Sequence, residues 1–131
     1  MGVFTYQQLI KLFRQSDVSS DLFSLQQYDA SYFEKFDPNR QFEKWALVEV
    51  KDFINIPKEM EAFVLKEGKY AVFLYKGSSN DKSIFEFIFT SWLPSSNYQL
   101  DNRPHFELLG GKYMNNDANS EEEIWIPIKD K

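Results

Sequence analysis

The order of four sharply punctuated segments in its second half most constrains how this 131-residue chain can fold. GKYAVFLYKG at 68–77 reads as a strand closed at both ends by glycine. Ser78, Ser79 and Asn80 then supply helix-start residues, and Ile84, Phe85, Ile88 and Trp92 recur at helical spacing until Pro94, where a helix interior cannot continue. Two further strands are expected, HFELL at 105–109 and EIWIPI at 123–128, separated by the turn-forming run NNDANS. Strand, helix, strand, strand is a βαββ unit. It can bury its apolar side only by laying the helix on one face of an antiparallel sheet.

The first half carries the same order without its opening member. Thr5 and Gln8 form a capping-box pattern, and Tyr6, Leu9, Ile10 and Phe13 make one apolar stripe, which predicts a helix over 5–15. LFSLQQY at 22–28 and WALVEV at 45–50 read as strands. After Pro57, MEAFVLKEGKYAVFLYKG reads as two extended stretches joined near Lys66, Glu67 and Gly68. The expected fold class is α+β: duplicated βαββ units, with two helices on one face of a shared antiparallel sheet and the first strand missing. One domain over 1–131 follows, with 4–66 as an incomplete first half and 67–131 as the second.

Charge and residue inventory remove several function classes. A net charge of −5 leaves no basic surface to neutralise phosphates, so no direct nucleic-acid binding is expected. With no cysteine and a single histidine, His105, neither a thiolate site nor a histidine-based metal site can be built, and no cofactor is expected. The one histidine also rules out a Ser-His-Asp set around any other residue, and no Gly-rich phosphate loop is present. No apolar run is long enough for a membrane span and no secretory pattern opens the chain; with Tyr6 where a myristoylation motif wants Ser or Thr, the default is cytoplasmic. The unusual feature is aromatic content, 13 Phe, 7 Tyr and 3 Trp, which suits either a dense core or flat walls for planar and cationic ligands.

Four blocks together give the chain a family likeness. They are Gly68, Tyr70, Ala71, Val72 and Phe73 with Lys76 and Gly77; Trp92, Leu93 and Pro94 at a helix end; Arg103, Pro104, Phe106 and Glu107; and Glu123, Ile124, Ile126, Pro127 and Ile128. In order and spacing they resemble the GyrI-like family, the effector-binding domains also found fused to AraC-type and MerR-type regulators. The resemblance implies a pseudo-twofold pair of βαββ units, a ligand cleft between the two helices floored by the sheet, and an acid inside that cleft at the position of Glu107. No helix-turn-helix precedes the domain here, so a stand-alone module is expected.

The resemblance makes Glu107 the leading site residue; strand alternation alone sets it with His105 and Leu109 and does not say which face is inside. Glu49 is a second candidate acid because it shares a strand face with Trp45 and Leu47, and Tyr28, Tyr70, Trp92 and Trp125 are candidate cleft walls. The run Glu121, Glu122, Glu123 reads as the solvated start of a strand. Two functions fit. The favoured one is a binding module for hydrophobic ligands, cationic ones included, held in an aromatic cleft around an acid. The alternative is a small hydrolase of strained or reactive rings, with Glu107 as general base and Glu49 and Tyr70 as helpers. The missing strand would leave a sheet edge open, which predicts either a homodimer through that edge or a more open cleft.

Overall fold

The computed structural model describes residues 2–5, 21–28, 42–50, 53, 54, 58 and 61–131, with 2–5 and Glu43 described for the backbone alone. The expected helix at 5–15 lies outside the described residues, save Thr5, which is in a strand.

Seven strands are present among the described residues: β1 (Gly2–Thr5), β2 (Leu22–Gln27), β3 (Glu43–Val48), β4 (Lys69–Lys76), β5 (Tyr98–Leu100), β6 (His105–Leu109) and β7 (Glu121–Asp130). They form an antiparallel sheet in the order β1-β4-β7-β6-β2-β3, with β5 pairing the far end of β7. The α+β class is as expected, and one element corrects the sequence reading. The first strand is not missing: β1 pairs with β4 from Gly2 opposite Val72 to Thr5 opposite Lys69. Only four residues long, it lies against the helical pattern beginning at Thr5, so it carries no separate strand signal. β1 covers the edge of β4 that would otherwise be open, and β1 and β3 are the two ends of the sheet.

The helix between β4 and β5 is compound: α1 (Ser83–Phe87), a π-helical stretch (Ile88–Trp92) and a final turn α2 (Leu93–Ser95). Its start is satisfied by Asp81, whose Oδ1 accepts from the Ser83 N–H at 2.9 Å, and not by the expected Ser78, Ser79 or Asn80. Proline does not end it where expected. The wider π turn shifts the hydrogen-bond register, so Pro94 falls at the start of a new α turn, where no N–H is needed.

Pro127 poses the same problem in the middle of β7, the most central strand. Its carbonyl accepts from the Asp101 N–H at 3.0 Å, and a strand residue directs N–H and C=O to one side. The missing N–H therefore faces the gap where β7's neighbour changes from β6 to β5, and the ladder to β4 is intact.

Side-chain alternation divides the sheet into two faces. Ala71 and Phe73 of β4 and Ile124, Ile126 and Ile128 of β7 meet the helix residues Ile84, Phe85, Ile88, Phe89, Trp92 and Leu93. Opposite them, Phe23, Leu25, Tyr70, Val72, Phe106 and Trp125 form a second core, packed by Trp45, Leu47, Phe63 and Leu65. Residues 61–68, expected to be extended, form no strand; Phe63 and Leu65 serve as a cover for this second face. Tyr70, Phe106 and Trp125 form its centre, with Phe106 stacked on Trp125 at 5.1 Å and Tyr70 edge-on to both.

Candidate functional site

β6 and β7 place two acids on the helix-side face. Glu107 pairs with Ser24 of β2 and Ile124 of β7, so it sits in the middle of the sheet, pointing to the same side as Ile124. Glu122 lies two residues before Ile124 and shares that face with Ile124, Ile126 and Ile128. The two glutamates are thus diagonal neighbours across one ladder, close enough for long side chains to meet. The charge of the Glu107 carboxyl is felt at Glu122.

Glu122 is only 9% exposed, and its Oε2 has no hydrogen-bond partner. Burial first, then the charge of Glu107, push the Glu122 carboxyl up to about 7, with Lys82 opposing the rise. Below about pH 7 the Glu122 carboxyl therefore keeps its proton, and the two acids do not carry a full double negative charge there. A solvated run over Glu121, Glu122 and Glu123 is the sequence expectation, and for Glu122 it is wrong. The signal that identifies it is the alternation Glu122, Ile124, Ile126, Ile128 on one face of a buried strand.

Aromatic groups flank the pair on the same side. His105, two residues before Glu107, is buried; Tyr28 meets it edge-on at 4.8 Å and Phe89 of the helix lies 6.0 Å away. Tyr28 also packs against Phe42 at 5.0 Å. Burial first, then the Arg103 charge, pull the His105 imidazole down to about 3, so it is neutral at physiological pH. Trp92 packs edge-on to Phe73 at 5.0 Å under the helix.

The remaining candidates from the sequence fall on the other side of the sheet. Tyr70 and Trp125 are in the second core, and Trp45 packs onto it. Glu49 follows β3 directly and by alternation belongs with Trp45 and Leu47. Glu107 is therefore brought together with Tyr28 and Trp92 on one face, while Tyr70, Trp125, Trp45 and Glu49 are separated from it by the thickness of the sheet.

Tyr70 has a structural partner. The Arg103 guanidinium lies 4.6 Å above its ring, donates from Nη2 to the Lys69 and Ile128 carbonyls at 2.6 and 3.2 Å, and bonds Asp101 through Nε at 2.6 Å. Arg103 thus ties β4 to β7 from the β5–β6 connection. Gly68 is required beside it, because a Cβ there would collide with the guanidinium.

Where β4 ends and β7 begins, an open groove of about 450 Å³ is lined by Tyr75, Leu108, Gly110, Lys112, Glu122 and neighbours. Glu107 is not part of its lining. Glu122 is, so it links the groove to the carboxyl pair.

The sequence profile of the Cass2 family, described as an integron-associated effector binding protein, matches residues 5–128. This chain belongs to the Cass2 family. Cass2 is a GyrI-like family, so the expected likeness holds and the chain is a small-molecule-binding domain. Among solved structures, SAV2435 bound to tetraphenylphosphonium is similar over 95% of this chain and 72% of its own, with a TM-score of 0.65. At 18% identity that likeness is one of fold. No curated protein matches the sequence at comparable significance. Among the described residues of this Cass2-family chain, no helix is long and apolar enough to cross a membrane, and no group of three or more candidate ligands could hold a metal ion.

Proposed function

We propose that this domain binds hydrophobic organic cations on the helix-side face of its sheet, with Glu107 as the charge that holds them. The observation that carries this reading is the position of Glu107: mid-sheet, beside a second buried acid, on the face that also holds Tyr28, His105, Phe89 and Trp92. A carboxylate bordered by aromatic rings attracts a cation by charge and quadrupole together, and flat apolar neighbours accept many shapes. The overall charge of −5 favours cations over anions in the encounter. The ligand of SAV2435, a phosphonium wrapped in four phenyl rings, is of the chemical class such a face suits.

The hydrolase reading is less well supported. Its expected helpers, Glu49 and Tyr70, both lie across the sheet from Glu107. Burial raises the Tyr70 hydroxyl, which leaves it a poor proton shuttle near neutral pH.

The test is isothermal titration of tetraphenylphosphonium, with triphenylphosphine oxide as the neutral comparator, into the wild type and Glu107→Gln. Removing the charge while keeping the shape should weaken phosphonium binding by about tenfold or more, with little change for the oxide. Equal phosphonium affinity in both proteins would remove Glu107 from the site.

A further inference from the structure

Glu122 is not among the residues that carry the family likeness, and the reading above uses it only as the neighbour of Glu107. Its burial calls for one, because a carboxyl side chain this enclosed, with one oxygen lacking any partner, is costly unless something occupies or neutralises it. The groove at the end of the sheet reaches Glu122, and the other carboxylates on its walls, Asp21, Glu121 and Glu123, outnumber the bases Lys76 and Lys112.

We propose that Glu107 and Glu122 form a proton-exchanging anchor, in which an organic cation settling on the pair displaces a proton held on the buried Glu122. The proposal rests on Glu107 being the cation-binding acid and adds the second acid and the exchange. Without ligand, the pair with a proton on Glu122 carries one negative charge. With the cation bound, both carboxylates are ionised, the proton has gone to solvent, and cation plus dianion again sum to one negative charge. The buried charge of the site is the same in both states, so neither form confronts the low-dielectric interior with two uncompensated charges.

The groups around the pair favour this exchange. From the helix side, Lys82 before α1 is the base whose charge reaches Glu122, and it opposes protonation without pairing closely enough to cancel the carboxyl. From β4, the Tyr75 hydroxyl is committed to the Ser78 carbonyl at 2.9 Å, so it does not serve Glu122. From β6, His105 is neutral. At the mouth of the groove, Lys112 pairs with Glu121 at 3.7 Å, and Glu123 accepts from the Trp125 indole at 3.0 Å on the other face. A monocation is thus the natural replacement for the Glu122 proton.

Proton linkage decides the matter. Titrating tetraphenylphosphonium at pH 6 in phosphate and in ACES, two buffers that differ in ionisation enthalpy, should show about one proton released per cation, with release vanishing above about pH 8.5. Affinity should tighten by about tenfold per pH unit between about pH 5 and 6 and level off above about pH 8. Glu122→Gln should abolish both the release and the pH dependence. Binding that depends on Glu107 but releases no proton would overturn the exchange while leaving the proposed function standing; no binding even at about pH 8.5 would overturn both. A readout without ligand is the carboxyl carbon-13 titration of Glu122. Its midpoint should lie well above the ordinary glutamate value in the wild type and drop by more than about one pH unit in Glu107→Gln, whereas an ordinary midpoint in the wild type would end the proposal.

Discussion

The Tyr70 hydroxyl is fully enclosed, and neither it nor the neighbouring Arg103 Nη1 has a hydrogen-bond partner. Removing such a group relieves a desolvation cost and loses no bond, so Tyr70→Phe should be neutral or stabilising by up to about 1 kcal/mol in urea unfolding. A loss of more than that amount would mean the hydroxyl makes a bond this geometry does not contain. His105 gives a pH-dependent prediction of opposite character. Its folded pKa is depressed from 6.5 to about 3, so the unfolded chain binds the proton more readily and the stability tied to neutral His105 is complete above pH 6.5. That stability falls as the pH drops through the window toward 3, by roughly 1.4 kcal/mol per pH unit. Glu122, with its raised value, has the reverse linkage: its contribution is complete below the ordinary glutamate value and is lost as the pH rises toward 7. Comparing wild type with His105→Gln at about pH 7.5 and 5 isolates the histidine, since both proteins keep Glu122, and the variant should lose about 2 kcal/mol less on acidification. At this scale the sequence points to Glu107 only through family likeness, and it hides Glu122 because three adjacent glutamates look like surface until the strand's alternation is followed into Ile124.

The strands are legible in proportion to how much apolar pattern each carries. β6 falls at 105–109 as expected and β2 one residue short of its expected end, whereas β3 begins two residues earlier and β7 runs from Glu121 to Asp130, beyond the apolar run that marks it. β5 has no signal, since three residues with one outward side chain leave no periodicity to see. What registers these elements is Arg103, whose guanidinium binds the carbonyls of Lys69 and Ile128 and so fixes β4 and β7 relative to the β5–β6 connection. Lysine has neither the fork nor the flat face for the Tyr70 ring, so Arg103→Lys should cost about 2–3 kcal/mol. Gly68→Ala acts on the same contact by driving a methyl into the guanidinium, and should cost about 1–3 kcal/mol. Because Arg103→Lys removes the guanidinium that the methyl would strike, the double variant should lose clearly less than the two single losses combined. Strict additivity in a double-mutant cycle would show that Gly68 is needed for another reason.

For the whole molecule, the consequential difference from the sequence expectation is β1. The chain pairs β4 on both sides, with β7 and with β1, and so leaves β1 and β3 as the sheet's ends. Self-association through a bare β4 edge loses its physical basis, since the backbone groups that would recruit a second copy are engaged by residues 2–5. Exposing that edge should restore the hazard. β4 carries the centre of both cores, with Tyr70 and Val72 on one face and Ala71 and Phe73 on the other, so an unpaired β4 would present a flat apolar strand edge. Deleting residues 1–5 should therefore lower the midpoint of thermal unfolding and shift the chain toward larger species in size-exclusion chromatography with light scattering, relative to the intact chain under the same conditions. The carboxyl pair lies on β6 and β7, with β4 between it and the deleted strand, so phosphonium binding by whatever monomer is left should survive the deletion. A truncated chain with unchanged stability and size would mean that the β1–β4 ladder contributes little, and that β4 is protected by its own side chains alone.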